Sequence, residues 1–385
     1  MTRRQICVVM TTRGNYAKMK SVLLALRSHA NLDLQLLIGG ALLSVGFEDY
    51  RKVIEDDGFI IVGELKYPAE GRGLGSIARA AAACAAGAAE WFEKLAPDFV
   101  IVIADRYEAL SLAHAALCMN IRIVHLEGGE VSGSIDERIR HAITKLAHIH
   151  LVANNDAAKR VLRMGELEDS IFVTGTPTMD LINSLNLEDT ARLKITMQRL
   201  GTGLEVDVDQ DYIVISQHPV VTEFEHATEY FRRTAIAVLT IGLPAVWILP
   251  NDDAGATALE EVLAELQQAP DAPPIRILKS LLIEDYAVLL YRSRCLLGNT
   301  SSGIREAAFL GVPVVNIGTR QQGRQRGRNV VDVGYDTADI VSAVTRQIAH
   351  GRYESDTLYG DGHVGKKIAE ILAKSWPDLQ KTIAY

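Results

Sequence analysis

The sequence predicts an α/β protein of two lobes, each built on a parallel sheet. Three observations predict it. Apolar runs of four to eight residues recur along the chain, and most are continuous rather than alternating, as in strands buried on both faces. Helical stretches stand between these runs, and strand, helix, strand repeated many times calls for parallel strands joined by right-handed crossovers. At 385 residues and 48% hydrophobic, the chain is too long for one typical core and long enough for two.

In chain order, the runs at 6–10, 34–38, 99–103, 121–124, 149–153 and 171–173 read as strands of the first lobe. Those at 212–215, 245–249, 275–278, 295–297, 312–317 and 330–333 read as strands of the second. The clearest helix is 77–95, where alanine dominates and few polar residues interrupt, a composition that forms helix cheaply and packs closely. The charged stretch 186–211, with Gly201 and Gly203, interrupts the rhythm and reads as the connection between lobes. The expected division is 1–185 and 186–365, with a helix in 366–385 packing back on the first lobe.

Net charge is −8, so broad attraction to phosphate polymers or anionic membranes is not expected, and no nucleic-acid partner is indicated. Cys7, Cys84, Cys118 and Cys295 stand far apart in apolar or alanine-rich surroundings with no Cys-x-x-Cys pair, which reads as reduced core thiols. The strand-like run at 6–10 has no charged-then-apolar leader before it, and no apolar stretch reaches the roughly 18 residues of a membrane helix. A soluble, cytoplasmic protein without a membrane partner is the expectation.

Ligands of such folds sit at the carboxyl ends of the strands. After 6–10 comes a turn opening a helix, with Arg13 and Lys18 five apart. After 99–103 come Asp105 and Arg106, acidic and basic at a strand exit. The segment 125–141 reads HLEGGEVSGSIDERIRH and sets Glu127, Glu130 and Asp136 around a glycine-rich turn. Ser134 followed by Glu137 fits the capping spacing, which predicts a helix starting near Ile135 with Asp136 in its first turn. Acidic side chains there are placed for proton chemistry; the plainer alternative is that they favour a helix N-terminus electrostatically. After 212–215, Pro219 keeps His218 on a loop, where its ordinary pKa lies near neutrality.

The second lobe carries GNTSSGIREA, a hydroxyl-rich loop from Gly298 that leads into a helix running to Leu310. Backbone N–H groups at the helix start, with the Thr300 and Ser301 hydroxyls, form a phosphate seat, and Glu306 one turn in is placed for ribose hydroxyls. The loop lacks a P-loop ending and a dinucleotide fingerprint, which favours a mononucleotide or nucleotide-sugar over ATP or NAD. The following loop carries Arg320, Arg324, Arg326 and Arg328 and reads as a mobile, anion-gathering lid over a diphosphate, with Arg320 best placed.

The stretches ADRYEAL, HLEGGEVSGSIDERIRHAITKLAHIHL, QHP, PNDDAG and GNTSSGIREAAFLGVPVVNIGTRQQGR resemble the hydrolysing UDP-N-acetylglucosamine 2-epimerases, which make the sialic-acid precursor N-acetylmannosamine, and their legionaminic-acid pathway relatives. The resemblance runs from Arg13 to about Val333. It implies two Rossmann-like lobes of glycosyltransferase-B type, a UDP-sugar bound between them, no cofactor, no required metal, and a homodimer or homotetramer. Position by position, it puts catalytic or sugar-contacting roles on Asp105, Glu127, Asp136 and His218. UDP-sugar contacts fall on Arg13, Lys18, Arg106, Asn251, Thr300, Ser301, Glu306 and Arg320.

Gly14 and Asn15 stand where relatives commonly show Ala and Asp, and Ala104 replaces a common Gly before Asp105. Glu261 and Ala264 stand where the animal relatives place two arginines that sense the sialic-acid end product, so that feedback site is expected to be absent. The implied chemistry is anti elimination of UDP to a glycal, followed by addition of water. Asp105 or Asp136 would be the base, Glu127 would protonate C2 or orient water, and His218 would assist the leaving diphosphate. A non-hydrolysing 2-epimerase, a retaining glycosyltransferase and a UDP-sugar sensor remain as alternatives, and the sugar's C4 substituent stays open.

Overall fold

The computed structural model describes residues 3–43, 48–67, 74–131, 136–250, 256–270 and 272–385. It forms two compact units, Met1–Asn183 with Tyr359–Tyr385, and Ser184–Leu358.

In the first unit the described strands are β1 (Arg4–Met10), β2 (Leu32–Gly39), β3 (Ile61–Leu65), β4 (Phe99–Ile103), β5 (Arg122–Leu126), β6 (Ile149–Val152) and β7 (Ile171–Val173). They form one parallel sheet in the order β3-β2-β1-β4-β5-β6-β7. The continuous apolar runs have a direct cause. Along β1, Ile6, Val8 and Met10 face a core shared with the helix Arg13–Ser28, while Cys7 and Val9 face another shared with the helices Leu74–Leu95 and Tyr107–Cys118. Both faces of the sheet are covered, so residues at both register positions are mostly apolar.

The helix Val364–Lys374 packs against Arg13–Ser28, and its Val364, Ile368 and Leu372 belong to the first unit's core. Asp180 caps it, its two carboxylate oxygens each accepting at 2.7 Å from the N–H groups of Val364 and Gly365. A Cβ on Gly365 would lie 2.6 Å from the Ser21 carbonyl oxygen, so glycine permits this close crossing.

In the second unit the described strands are β8 (Thr202–Gly203), β9 (Ile213–Ser216), β10 (Ala245–Ile248), β11 (Ile275–Leu278), β12 (Cys295–Gly298), β13 (Val314–Ile317) and β14 (Val330–Val333). Their order is β14-β13-β12-β9-β10-β11-β8, parallel except for β8, which runs antiparallel to β11. Strand order reverses between β1 and β4 in one sheet and between β9 and β12 in the other, and a crevice at such a reversal is where these sheets bind ligands.

Three expectations need correcting. The second unit ends at Leu358, not at 365, and the stretch 186–211 read as a connection is tied into it: it holds the helix Ala191–Leu200 and β8, with Arg276 donating to the Met197 and Gly203 carbonyls. β3 and β8 were not foreseen, since Ile61–Leu65 carries Gly63 and Glu64 and β8 is two residues at a sheet edge. Cys118 is exposed at the last position of its helix, while Cys7, Cys84 and Cys295 are buried.

Candidate active site

The first unit's candidate residues follow β4 and β5. Each strand is followed at once by a non-glycine residue with left-handed backbone, Ala104 at φ 58° and Glu127 at φ 65°. Such a conformation costs on the order of 1–3 kcal/mol per residue, so the surroundings must hold it. They do so through the sheet: the Ala104 N–H donates to the Leu126 carbonyl and the Glu127 N–H to the Leu151 carbonyl, each at 2.9 Å. His125 adds a third tie, its Nε2 donating to the Ala104 carbonyl at 3.0 Å while Nδ1 lies 3.2 Å from the Thr144 hydroxyl. Burial pushes the His125 imidazole down to about 4, so it works as a neutral ring.

The glycines after Glu127 are dictated by space. A Cβ on Gly129, at φ 74°, would lie 2.4 Å from the Ala157 carbonyl oxygen, and one on Gly128 would lie 2.9 Å from His125 Nδ1. Glu127 and Glu130 are both buried.

Asp105 follows Ala104 and is gripped by Arg140, whose guanidinium also donates to the Glu130 carbonyl at 2.6 Å. Arg140 is buried, so this charge-assisted pair fixes the carboxylate firmly. Arg140 was not among the expected site residues. Its signal was available, because it lies four residues after Asp136 and so on the same helix face. Asp136 begins the helix Asp136–Leu146 and is exposed; the proposed cap Ser134 lies outside the described residues. Arg106 is committed locally: its Nε and Nη2 reach the buried Glu108 carboxylate, each at 3.1 Å. Lys18 lies half-buried on Arg13–Ser28. The Arg13 side chain and Asn251 lie outside the described residues.

The second unit's candidate residues follow β9 and β12, the two strands at its reversal point. Asn299 ties the loops together. Its Oδ1 accepts from the His218 N–H at 2.7 Å, its Nδ2 donates to the His218 carbonyl at 2.9 Å, and its own carbonyl accepts from Arg320 at 3.1 Å and Gln321 at 2.8 Å. Gly298, at φ 135°, lets the strands meet this closely, since a Cβ there would lie 2.2 Å from the Ser216 carbonyl oxygen. His218 therefore has a fixed backbone, and its buried Nδ1 has no hydrogen-bond partner among the described residues. Its ordinary near-neutral pKa is not what the site gives it: burial, and then the Arg320 charge, lower it to about 4.

Thr300 caps a short helix, Ser301–Ile304, and a second, Glu306–Leu310, follows. The single helix expected to Leu310 is broken at Arg305, whose ψ of −74° turns the chain between them. The break leaves Glu306 at the start of the second helix, buried. Ser302 hydrogen-bonds to Tyr286 at 2.6 Å and to Thr300 at 3.1 Å. Burial pushes the Tyr286 hydroxyl up, so it remains protonated. Neither Ser302, Tyr286 nor Asn299 was expected; nothing in the local sequence marks an asparagine as a brace between two loops.

The arginine-rich loop is stapled rather than loose. Arg326 pairs with Asp332 at 2.8 Å and donates to the Arg324 and Gln321 carbonyls at 2.7 and 3.0 Å. Among the described residues, no group of three or more His, Cys, Asp or Glu side chains is gathered as a metal site requires.

A family model described as UDP-N-acetylglucosamine 2-epimerase matches residues 24–373. A Legionella pneumophila UDP-N,N'-diacetylbacillosamine 2-epimerase (hydrolyzing) is 35% identical over 369 residues, covering 96% of this chain and 95% of the relative. A Neisseria meningitidis UDP-N-acetylglucosamine 2-epimerase is 30% identical over 381 residues, covering 96% and 95%. Among solved structures, the Neisseria meningitidis UDP-GlcNAc 2-epimerase bound to UDP-GlcNAc shares the fold at a TM-score of 0.76 and 19% identity, covering 96% of this chain and 100% of that one. With a model match over most of its length and such relatives across nearly all of it, the chain belongs to the UDP-N-acetylglucosamine 2-epimerase family of UDP-sugar 2-epimerases.

Proposed function

We propose that the protein is a hydrolysing 2-epimerase, converting a UDP-2-acetamido sugar to UDP and the free 2-epimeric sugar. The observation that carries this reading is the carboxylate set at the exits of β4 and β5: Asp105 locked to buried Arg140, and Glu127 buried on a strained turn beside it in the sheet order. A sensor or a glycosyltransferase has no use for it.

The C2 proton of such a sugar is weakly acidic, so its removal requires a fixed base and a stabilised leaving group. Asp105 or Asp136 takes the proton from C2 as the C1–O bond breaks, and its electron pair departs with UDP, leaving a C1=C2 glycal. Water then adds, hydroxyl to C1 and a proton to C2 on the opposite face, with Glu127 delivering the proton or orienting the water. The leaving diphosphate is served by the second unit's loops: the Ser301 hydroxyl, Arg320, and His218 acting as a neutral donor. Glu306 accepts from the ribose. Lys18, with Arg13, gathers the anion.

The relatives carry two sugars. Higher identity to the diacetylbacillosamine enzyme than to the N-acetylglucosamine enzyme favours a substrate with a second acetamido group at C4. A proton NMR time course with UDP-N-acetylglucosamine and its 2,4-diacetamido-6-deoxy analogue tests both points. Free sugar and UDP appearing together, faster from the analogue, is the expected result. An epimer still attached to UDP would overturn the hydrolytic reading.

A further inference from the structure

We infer that Lys381 is a positioning residue for the carboxylate site, acting through the far end of the helix Asp136–Leu146; the inference rests on the function proposed above. The segment 375–385 is irregular chain laid across the first unit. Its Lys381 ammonium donates to the carbonyls of Thr144, Lys145 and Ala147 at 3.0, 2.9 and 2.6 Å, covering carbonyls at the C-terminus of that helix. It also pairs with the Glu166 carboxylate at 2.5 Å.

Glu166 is itself buried and shared. It accepts from His150 at 3.0 Å and from Lys145, a residue of the same helix, at 2.6 Å. Burial opposes its charge, but the three donors His150, Lys145 and Lys381 outweigh burial and hold the carboxyl at about 2. The segment is pinned on both sides of Lys381. Arg122 donates to the Pro377 carbonyl at 2.7 Å and stacks 3.9 Å over the Trp376 ring, and Ala384 donates to the Gly165 carbonyl at 3.1 Å. Lys381 is thus a fixed cation at the negative end of a helix dipole.

The same helix carries Asp136 at its start and Arg140, which grips Asp105, one turn in. An eleven-residue helix is a stiff rod of roughly 16 Å, so a shift at one end is delivered to the other. Without Lys381 the three carbonyls lose their donor and Glu166 keeps two of its three. That end of the helix is then held by fewer ties, Lys145 on Glu166 and on the Met164 carbonyl among those left, and a shift there moves Arg140 and the Asp105 carboxylate together. Displacements of about 1 Å at a reacting group lower rates by up to about a hundredfold.

The test compares Lys381→Met and Lys381→Arg with the wild type. Lys381→Met is expected to lower kcat about tenfold or more, leave KM and the calorimetric affinity for UDP within about twofold, and speed amide hydrogen exchange across 136–147; Lys381→Arg restores both kcat and protection. A merely structural role would reduce the amount of folded enzyme without this kcat-only loss. Wild-type kcat in Lys381→Met, or unchanged exchange across 136–147, overturns the inference. A wild type that releases neither UDP nor free sugar sinks the proposed function instead, and the exchange measurement alone then decides whether Lys381 holds the helix.

Discussion

The loops after β4 and β5 and those after β9 and β12 occupy equivalent places in two similar sheets, yet they are made of opposite materials. The first set is built from charge and strain: two left-handed non-glycine residues, the buried carboxylates of Glu127 and Glu130, and a buried arginine closing on half-buried Asp105. The second is built mostly from neutral groups around one arginine: hydroxyls of Thr300 and Ser302, an asparagine brace, a histidine kept uncharged, and Arg320 on the Asn299 carbonyl. A group that must take and return a proton needs an ionisable side chain held in one place, whereas a group that must hold a diphosphate needs donors that stay donors. On the function proposed above, the difference separates proton chemistry from anion holding within one fold.

The comparison breaks most easily at the carboxylates. Asp105→Asn, Glu127→Gln and Asp136→Asn are each expected to lower turnover about a hundredfold or more, with UDP affinity by calorimetry unchanged. Arg140→Met should follow Asp105→Asn, and the double variant should cost no more than either alone, since the two side chains act as one unit. Near-normal turnover in all three carboxylate variants would remove the distinction between the regions.

The converse pair is Arg320→Ala and Ser301→Ala. UDP binding should weaken by about 1.5–3 kcal/mol for the arginine and less for the serine. Unchanged affinity for both would place the nucleotide elsewhere.

Acidification sharpens the comparison next. His125 and His218 titrate at about 4 in the folded protein against 6.5 ordinarily, so between those values the unfolded chain binds protons that the folded one refuses. Their stabilisation is therefore complete above about pH 6.5 and is lost as pH falls toward 4. Denaturant unfolding at pH 7 and pH 5 should show the loss, and His125→Gln should show a smaller one. An equal loss in the variant would mean that His125 titrates normally.

The smallest effect belongs to the strained turn. Ala104 stands at φ 58°, where glycine carries no side-chain penalty, so Ala104→Gly should leave stability within about 1 kcal/mol, strain relief offsetting the freedom that glycine gains when unfolded. Destabilisation well beyond that would show that Ala104 Cβ packs productively.

Much of this architecture was legible because two-sided burial writes continuous apolar runs into a chain: β4, β7, β11 and β14 match their runs residue for residue. β3 escaped because Gly63 and Glu64 break its run. The glycine and hydroxyl motif announced the close approach of the loops after β9 and β12, since backbone approach needs small residues that a sequence displays openly. The grip of Arg140 on Asp105 joins residues 35 apart, and the brace of Asn299 on His218 joins residues 81 apart. Such pairs exist only once the sheet has set its register, and no local pattern encodes them. The pKa of His218 belongs to the same class, because burial and Arg320 are both consequences of the fold.

The most direct test of the central claim is turnover in deuterium oxide enriched in oxygen-18. Elimination and water addition predict deuterium at C2 of every free epimerised sugar and no oxygen-18 in the released UDP. Protium retained at C2, or an epimer that never leaves UDP, would contradict it.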